Sequence, residues 1–291
     1  MPSRDLIFTL SYSGADSDDH AIDFYDVAQA LIGFERSLAL TTHLILNNGE
    51  IITQAPSLEG AKIFAVPPAD GSWKIDVIVV ATFMALAAPH DSVLGNLVTS
   101  AYDYVISETL GFHVDYNKTL QKQYDEYRGQ QTGLFIPPQA KLDSLTEKTE
   151  VAIKNMHRPI VWSETASQAV VTARIGSGEA FRIGHPLDRE TFDYIDVTER
   201  AEHTEKLSGH VSSYNVNTYK GRIYLPDLHR PIPFELAETC RDAISILALT
   251  QSLMQTAQDK WDAQSAVAFT AFKMTSKSGR LKKLLITSVG N

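Results

Sequence analysis

Carboxylates and a histidine crowd the stretch from Gly14 to Asp26, which reads GADSDDHAIDFYD. Carboxylate oxygens and imidazole nitrogens bind divalent cations and act as general acids and bases. On a helix that begins near Asp19, His20 and Asp23 are three residues apart and share a face. This spacing predicts a metal site of four residues: Asp18, Asp19, His20 and Asp23. Such a site would suit a metal-dependent phosphodiesterase or nuclease.

The same acidic residues have a second interpretation, as the solvated start of a helix. Apolar residues from Ile22 to Leu44 recur at three- and four-residue steps, which predicts a helix that Asp18 or Asp19 would cap. Acidic side chains in a first turn also complement the helix dipole. The stretch lacks the central glycine and the closing glutamate of a calcium loop. The sequence leaves both interpretations open.

A second set of residues with chemical potential lies in SYNVNTYKGRIYLPDLHRPIPFEL, Ser213 to Leu236, and just before it. Period-two alternation assigns four aliphatic residues to one face of two strands: Leu207, Val211, Ile223 and Leu225. The other face then carries the predicted ligand-binding residues: His210, Tyr214, Lys220, Arg222 and Tyr224. Aromatic rings and cations together are typical of proteins that bind single-stranded nucleic acid. The alternative is that the rings pack on the sheet and the cations bind an acidic domain of the same protein.

Other catalytic and cofactor signatures are absent from the sequence. No serine lies in a Gly-x-Ser-x-Gly elbow. The glycines of RIGSGEAFRIG, Arg174 to Gly184, are not followed by the Lys-Ser/Thr of a phosphate-binding loop. The single cysteine, Cys240, can form neither an internal disulfide nor a cysteine-based zinc site. The sequence therefore predicts no catalytic residues and no cofactor, and it favours a non-enzymatic role.

Charge is divided unevenly along the chain. The 291 residues include 26 Lys and Arg and 35 Asp and Glu, a net of −9, which argues against a protein that coats nucleic acid. Residues 203–291 hold 11 basic and 7 acidic residues, a net of +4, whereas residues 1–202 hold 15 and 28, a net of −13. This division predicts two modules that have different partners or that attract each other.

The first 130 residues show both strand and helix patterns. Strands are predicted at 6–12, 62–66 and 72–80, and helices from about residue 22 to 47 and at 92–110. A more polar helix is predicted within NKTLQKQYDEYRGQQ, residues 117–131. These elements indicate an α+β fold, in which a small sheet covered by helices forms an N-terminal domain of residues 1–130.

Residues 131–202 are predicted to form a linker and a helical connector. The preceding GQQTGLFIPPQ, residues 129–139, is rich in Gly, Gln and Pro, as linkers often are. A helix is predicted from Gln139 to Asn155, and no clear periodicity follows between Arg158 and Glu202.

The remaining residues, 203–291, are predicted to form a β-barrel domain. Five strands and one helix follow the order β-β-β-α-β-β, which is the connectivity of an OB-like barrel, with an SH3-like barrel or an open sheet as the alternative. Pro231 and Pro233 predict that the third strand lies at an edge or rim. The helix, at about 238–258, is expected to have one apolar face formed by Ile244, Leu247, Ala248 and Leu253.

The most apolar part of the chain is IDVIVVATFMALAAPHDSVLGNLVTSAYDYVI. Its uninterrupted run, Val77 to Ala88, has 12 residues, fewer than the roughly 20 that span a bilayer. A buried strand followed by buried helices is therefore expected, with a membrane-active effector as the alternative. The N-terminus lacks the apolar core of a signal peptide, which predicts a cytoplasmic protein.

Four stretches resemble a bacterial family of uncharacterised two-domain proteins: DDHAIDFYDVAQAL, GSWKIDVIVV, SYNVNTYKGRIY and RPIPFELA. The resemblance spans most of the chain. Members of this family are often found near mobile elements or phage-defence loci. The resemblance thus implies a cytosolic role in defence or sensing, and it brings no catalytic residues.

Together these observations favour a non-enzymatic bacterial sensor or interaction protein. Its apolar N-terminal module is expected to self-associate into a homo-oligomer. Its C-terminal module is expected to bind a nucleotide, a single-stranded nucleic acid or a partner protein. The metal-dependent phosphodiesterase or nuclease and the membrane-active effector are the alternatives.

Overall fold

The computed structural model of the chain describes residues 6–52, 58–66, 73–81, 91–114, 116, 136–228, 230–258, 265–276, 279 and 281–290. The chain divides into two compact units, Met1–Ile195 and Asp196–Asn291. Residues 136–195, which the sequence analysis placed in a connector, lie in the first unit. The predicted polar helix at 117–131 and most of the predicted linker at 129–139 lie outside the described residues.

An antiparallel sheet of five strands forms the first unit's framework. Its strands are β1 (Leu6–Ser13), β2 (Ala61–Val66), β3 (Lys74–Ala81), β4 (Gln168–Ile175) and β5 (Phe181–Leu187). The spatial order is β2-β3-β1-β4-β5, so the first strand of the chain lies at the centre. The alternation of LIFTLSYS suits this position, because four of its residues are fully or nearly fully buried: Leu6, Phe8, Leu10 and Tyr12.

Helices cover the face of the sheet to which these four side chains point. They are α1 (Phe24–Leu46), α2 (Asp91–Thr109), α3 (Gln139–Asn155), α4 (Arg158–Val161) and α5 (Arg189–Asp196), and a short 3-10 helix spans Ala15–Asp19. The ring of Phe8 meets Tyr102 of α2 edge-on, with centroids 5.5 Å apart. The Tyr12 hydroxyl donates a hydrogen bond to the Met156 carbonyl at 2.7 Å. One apolar core therefore joins the sheet to its helices.

Local chemistry explains how α1 begins and how closely it packs. Asp23 caps the helix, because its Oδ1 accepts a hydrogen bond from the Asp26 N–H at 2.9 Å. The predicted caps, Asp18 and Asp19, lie in the preceding 3-10 helix instead. Farther along, Gly33 faces α3, where an added Cβ would lie 2.2 Å from the Ala152 carbonyl oxygen. Only a residue without a side chain allows the two helices to approach so closely.

The α+β fold with a helix-covered N-terminal sheet is confirmed, and the sheet has two strands that were not predicted. In β4 the buried positions include Ala169 and Ala173, whose small side chains give little apolar contrast with the outward-facing Val170. In β5, Gly184 and Pro186 interrupt the pattern typical of a strand. Both features conceal period-two alternation from the sequence.

Described helices include none with the length and apolar character needed to cross a membrane. In the apolar run Val77–Ala88, residues 77–81 belong to β3, so the predicted strand is confirmed. Only one of its faces is buried, because Val77 and Val79 lie in the core whereas Val80 is 38% exposed. The rest of the run, from residue 82, lies outside the described residues.

A closed, mixed β-barrel of five strands with one helix forms the second unit. After the two-residue β6 (Glu199–Arg200), its strands are β7 (Glu205–Asn215), β8 (Lys220–Leu225), β9 (Arg230–Leu236), β10 (Ala266–Thr275) and β11 (Leu281–Val289). The order β11-β9-β8-β7-β10 closes through a pairing of β10 with β11. Helix α6 (Ala243–Gln258) separates β9 from β10. The predicted β-β-β-α-β-β order of an OB-like barrel is confirmed.

The two prolines of β9 lie in its first half, which pairs with β8 but not with β11. β9 runs between β8 and β11, and its parallel pairing with β11 begins at Phe234, after Pro231 and Pro233. A proline cannot donate a ladder hydrogen bond, so its place before this pairing costs none. The predicted edge position therefore applies to the first half of the strand and is wrong for the second.

Helix α6 packs on the barrel through part of the predicted face, because Ala248 and Leu253 contact the barrel core. Ser252 is buried, donates a hydrogen bond to the Ser265 carbonyl at 2.6 Å and accepts one from the Val211 N–H at 3.1 Å. Ile244 and Leu247, which were expected on the packed face, are 78% and 57% exposed. The packed face is therefore rotated from the predicted one, and it combines the apolar Leu249 with the hydrogen bonds of Ser252.

Candidate interaction surfaces

The residues predicted to bind a ligand lie on β7 and β8: His210, Tyr214, Lys220, Arg222 and Tyr224. In β8, Lys220, Arg222 and Tyr224 alternate with residues that face the barrel core, as predicted. Across the strand pair His210 lies opposite Tyr224. Residues opposite each other in an antiparallel pair share a face. Four of the five residues are therefore on the outer face of the barrel.

Tyr214 is the exception, because a β-bulge turns it towards the core. The register of β7 and β8 shifts between Val211 and Ser213, and beyond the shift Tyr214 lies opposite Gly221. An extra residue reverses which side chains point inward. The ring of Tyr214 stacks on Phe234 of the core, with centroids 6.2 Å apart and planes 8° from parallel. The prediction that Tyr214 shares a solvent-facing surface with Arg222 is wrong.

The hydroxyl of Tyr214 is buried and has no hydrogen-bond partner among the described residues. Burial raises the pKa of Tyr214, and the neighbouring Tyr219 and Cys240 add to the rise. The hydroxyl is therefore neutral at physiological pH and costs stability by its desolvation. Tyr214 thus behaves as a packing residue with an unsatisfied polar end.

The outer face of the barrel is less open than predicted. The side chain of Arg222 is buried, with 4% of the residue exposed. His210 is half-buried, and its Nδ1 lies 2.6 Å from the Ser265 hydroxyl. Lys220 and Tyr224 are half-buried as well. A ligand approaching this face would therefore reach parts of His210, Lys220 and Tyr224 before it reached Arg222.

One row across the barrel combines charges of both signs. Lys220 of β8 lies opposite Glu235 of β9, and the Lys283 ammonium of β11 lies 3.3 Å from a carboxylate oxygen of Glu235. The row therefore contains two cations and one carboxylate, and Glu235 is in an ion pair with Lys283.

The acidic stretch near the N-terminus uses two of its carboxylates in local structure. The Gly14 N–H donates to Oδ1 of Asp18 at 2.7 Å, and Asp23 caps α1. His20 ends the 3-10 helix in a left-handed conformation, with φ of 60°. The structure therefore orders this stretch through hydrogen bonds to the backbone.

The predicted metal ligands do not form a group in the described structure. All four predicted ligands, Asp18, Asp19, His20 and Asp23, are described and exposed. Within the described part of the chain, no group of three or more His, Cys, Asp or Glu side chains is close enough to hold a metal ion. The structure therefore does not bring the four predicted ligands together, and metal binding by them stays a prediction.

A different cluster, which the sequence analysis missed, lies beside the start of α1. The guanidinium of Arg158 binds Oδ1 of Asp26 through Nε at 2.9 Å and Nη2 at 2.8 Å. It also lies over two aromatic rings, 5.2 Å from the centroid of Tyr25 and 4.8 Å from that of Trp162. Cation–π contacts of this kind are favourable where the cation is partly desolvated. Tyr25, Arg158 and Trp162 are called the aromatic–arginine cluster below.

The cluster is anchored by buried contacts on one side and exposed to solvent on the other. The side chain of Asp26 is 7% exposed and that of Arg158 is 21% exposed. Trp162 packs edge-on against Phe192, with centroids 5.1 Å apart. In contrast, Tyr25 is 63% exposed and Trp162 49% exposed. Fixed aromatic rings thus present much of their surface to solvent.

Hydrogen bonds tie this cluster to the acidic stretch. The Ser17 N–H donates to the Thr165 carbonyl at 2.8 Å, and the Asp23 N–H donates to the Thr165 hydroxyl at 3.3 Å. Thr165 follows Trp162 by three residues. The exposed carboxylates of the acidic stretch therefore lie along one border of the cluster: Asp16, Asp18, Asp19 and Asp23.

One signal in the sequence could have suggested the cluster. FY at residues 24 and 25 precedes the buried positions of α1, so the helix begins with two large apolar residues outside its core face. No such signal indicated that Arg158 takes part. It is 132 residues from Asp26, and only the folded chain brings the two side chains together.

Residues 8–196 match the family described as domain of unknown function DUF7946, and residues 203–290 match the family of unknown function DUF7947. These ranges agree with the two units of the structure. No curated protein and no solved structure matches the chain. The match to DUF7946 covers more than half of the chain, which therefore belongs to this family of unknown function and carries a DUF7947 match after it.

Proposed function

We propose that this protein is a non-enzymatic interaction protein whose first unit binds a partner protein at the aromatic–arginine cluster. The observation that carries the proposal is the arrangement of Arg158, which Asp26 fixes between the exposed rings of Tyr25 and Trp162. Trp, Tyr and Arg are the residue types enriched at the energetic centres of protein interfaces. Phe24, next in the chain, is 85% exposed and extends the apolar surface.

The rigidity of the cluster supports a role in binding. Ordering a flexible side chain on association costs free energy, and this cost reduces affinity. Arg158 is already held by a hydrogen bond and an ion pair to Asp26 and by two rings, and Trp162 is held by Phe192. A partner would therefore meet a surface whose side chains have been ordered by folding.

The charge along the border indicates the chemistry of the partner. The exposed carboxylates of the acidic stretch would repel an acidic surface and attract a basic one. The exposed rings would also accept Lys or Arg side chains over their faces. We therefore expect the partner to present Lys or Arg beside an apolar side chain that contacts Tyr25 and Trp162.

A peptide-display selection with the whole protein as bait tests this proposal. Selected peptides should be enriched in Lys and Arg beside aliphatic or aromatic residues. Their affinity should fall at least tenfold, which corresponds to about 1.4 kcal/mol, for Trp162→Ala and for Tyr25→Ala. Val216→Ala is the matched control, because Val216 is 60% exposed in the second unit. Peptides that bind both cluster variants as tightly as the unchanged protein would refute the proposal.

The partner can also be a second copy of the chain, as the expected homo-oligomer requires. Light scattering coupled to size-exclusion chromatography at micromolar concentration tests this version. A dimer that Trp162→Ala converts to monomer would identify the second copy as the partner. A dimer that persists in Trp162→Ala would place self-association elsewhere.

The barrel supports a second candidate function, the binding of a nucleotide or single-stranded nucleic acid. Its support is the OB-like connectivity together with the row of Lys220, Glu235 and Lys283. Lys220→Glu should weaken the binding of a labelled oligonucleotide, while Lys148→Glu on α3 provides a control of equal charge. Equal binding by both variants would remove the barrel row from consideration. The resemblance to proteins near phage-defence loci suggests the bacterial cytoplasm and a defence role as the setting for either function.

A further inference from the structure

The first sheet has a second face, opposite the helices, that is open. Where Leu6, Phe8, Leu10 and Tyr12 of β1 point to the core, the residues between them point away from it. The strand registers extend this alternation across the sheet. One row runs from Phe64 through Ile78 and Ile7 to Arg174, and the next ends at Arg182.

Sixteen described residues make up this open face, and each of them is half-buried or exposed. They come from all five strands: Ile7, Thr9, Ser11, Ser13, Lys62, Phe64, Val66, Lys74, Asp76, Ile78, Val80, Gln168, Val170, Thr172, Arg174 and Arg182. The opposite face of the same strands is mostly buried in the core, with Ala65 and Phe181 exposed towards the two edges of the sheet. One solvated face is common in antiparallel sheets. The residue types on this face indicate which ligands it can bind.

The charge of the open face is opposite to that of its unit. The first unit holds 14 basic and 25 acidic residues, a net of −11. The open face holds four cations, Lys62, Lys74, Arg174 and Arg182, and one carboxylate, Asp76. The Thr9 hydroxyl donates a hydrogen bond to Asp76 at 2.6 Å. Within the part of the chain that the structure describes, none of the four cations forms an ion pair, so their charge is available to a ligand.

The four cations lie on four different strands and surround a centre in which Asp76, hydrogen-bonded by Thr9, is the one charged side chain among the described residues. Neighbouring strands are about 4.8 Å apart, so β2 and β5 are separated by roughly 19 Å across the sheet. Between the cations lie the hydroxyls of Thr9 and Thr172 and the apolar side chains of Ile7 and Ile78. The ring of Phe64 is 52% exposed on the same face. A single small anion could not contact cations so far apart.

We propose that this open sheet face binds single-stranded nucleic acid. Lys62, Lys74, Arg174 and Arg182 would contact successive phosphates, and Phe64 would stack on a base. Sheets use cations and exposed rings in this way to bind unpaired strands, whose bases are free to stack. An acidic protein segment is less suited, because it would leave the exposed ring and the central hydroxyls without matched contacts. This site is separate from the partner surface proposed above.

Fluorescence anisotropy with labelled oligo-dT and oligo-U, each about 16 nucleotides long, tests the proposal on the whole protein at low salt. The double variant Arg174→Glu/Arg182→Glu should bind at least tenfold more weakly. Its plot of log affinity against log salt should also lose about 1.4 in slope, since each phosphate contact to a single strand contributes about 0.7. Phe64→Ala should weaken binding by about 5- to 150-fold, as expected for one lost stacking contact.

Lys141→Glu/Lys148→Glu is the matched control, because both lysines are exposed on α3, on the helix side of the sheet. This control should bind as tightly as the unchanged protein, as should Trp162→Ala, which separates this test from that of the partner surface. Circular dichroism and melting curves confirm that each variant is folded. Loss of binding by the control as great as that of Arg174→Glu/Arg182→Glu would overturn the proposal.

An acidic peptide of 16 residues serves as the competing ligand. Weaker binding of this peptide to Arg174→Glu/Arg182→Glu, with no oligonucleotide binding by the unchanged protein, would assign the face to an acidic protein. That result, or the absence of oligonucleotide binding at about 50 mM salt and protein concentrations of about 200 μM, which exceed typical non-specific dissociation constants, would refute the proposal.

Discussion

The outer face of the barrel and the open face of the first sheet are both β-surfaces with cations, yet their side chains have different freedom. On the barrel, a bulge between Val211 and Ser213 turns Tyr214 into the core, and Arg222 is buried. On the first sheet, β1 pairs with β3 and with β4 without a register shift, and Arg174 and Arg182 are exposed. Continuous register therefore keeps side chains on the face that alternation predicts.

The comparison also separates the net charge of a module from the charge that a ligand can reach. Residues 203–291 have a net of +4, but Lys273 binds Glu205 and Lys283 binds Glu235. The first unit has a net of −11, but its open face has four cations and one carboxylate. Local placement of charge, and not its sum over a domain, decides which ligands a surface attracts.

The largest expected effect tests whether Tyr214 belongs to the barrel core. Tyr214→Ala should lower the free energy of unfolding by about 3 kcal/mol, because it removes a large ring that packs on Phe234. Urea denaturation followed by far-ultraviolet circular dichroism measures this change. Tyr214→Phe should be neutral or stabilising, since it removes only the unpartnered hydroxyl. A negligible effect of Tyr214→Ala would return the residue to the surface and undo the contrast.

Acid should distinguish the two units, because a buried histidine lies in the first. Burial lowers the pKa of His157 from 6.5 to about 4, against the opposing effects of the Ile153 carbonyl and the Asp188 carboxylate. The unfolded chain thus takes up a proton that the folded chain resists, so stability is full above pH 6.5 and falls as the pH approaches 4. The loss should be about 1.4 kcal/mol per pH unit within this window.

Urea titrations from pH 7 to pH 4.5 measure this loss for the unchanged protein and for His157→Gln. The variant should lack the part of the pH dependence that His157 supplies. Because His157 bonds Thr191 and Ile153 in the first unit, the acid-induced loss of hydrogen-exchange protection should begin there. Identical slopes for the two proteins would show that His157 does not resist protonation.

The smallest expected effect is a difference in stability between variants of two arginines, Arg222 on the outer face of the barrel and Arg174 on the open face of the first sheet. Arg222→Ala should cost about 1–2 kcal/mol of stability, since a buried arginine stem contributes packing as well as charge. Arg174→Ala should change stability by less than about 0.5 kcal/mol, as is usual for an exposed side chain. Melting of both variants at one pH and salt concentration provides the comparison. Equal losses of stability would mean that Arg222 and Arg174 contribute equally to packing, which contradicts the contrast between the two faces.

Local patterns predicted those elements whose apolar residues are large and regularly spaced. The alternation of Leu6, Phe8, Leu10 and Tyr12 indicated β1, and the predicted helix at 92–110 differs from Asp91–Thr109 by one residue at each end. β4 was missed because it alternates through alanine. Its pairing with β1 joins residues about 160 positions apart, which periodicity cannot reveal.

The candidate sites were harder to predict than the fold, for a related reason. The bulge that turns Tyr214 inward follows from one extra residue in β7, which leaves no mark in HVSSYN. The aromatic–arginine cluster joins Tyr25 to Arg158 and Trp162 only after α1 and α4 have packed. The open face combines side chains from strands between residues 6 and 187. Each site depends on contacts that the sequence order does not show.

The central position of β1 has a consequence for synthesis of the chain on the ribosome. One edge of β1 can pair with β3 once residue 81 is available, but the other edge must wait for β4. At about 5–20 residues per second, the roughly 90 residues from Ala81 to Gln168 delay that pairing by about 5–20 s. An unpaired strand edge is a template for association with other chains. The nascent protein is therefore most vulnerable to aggregation in this interval, before the second half of its sheet has been made.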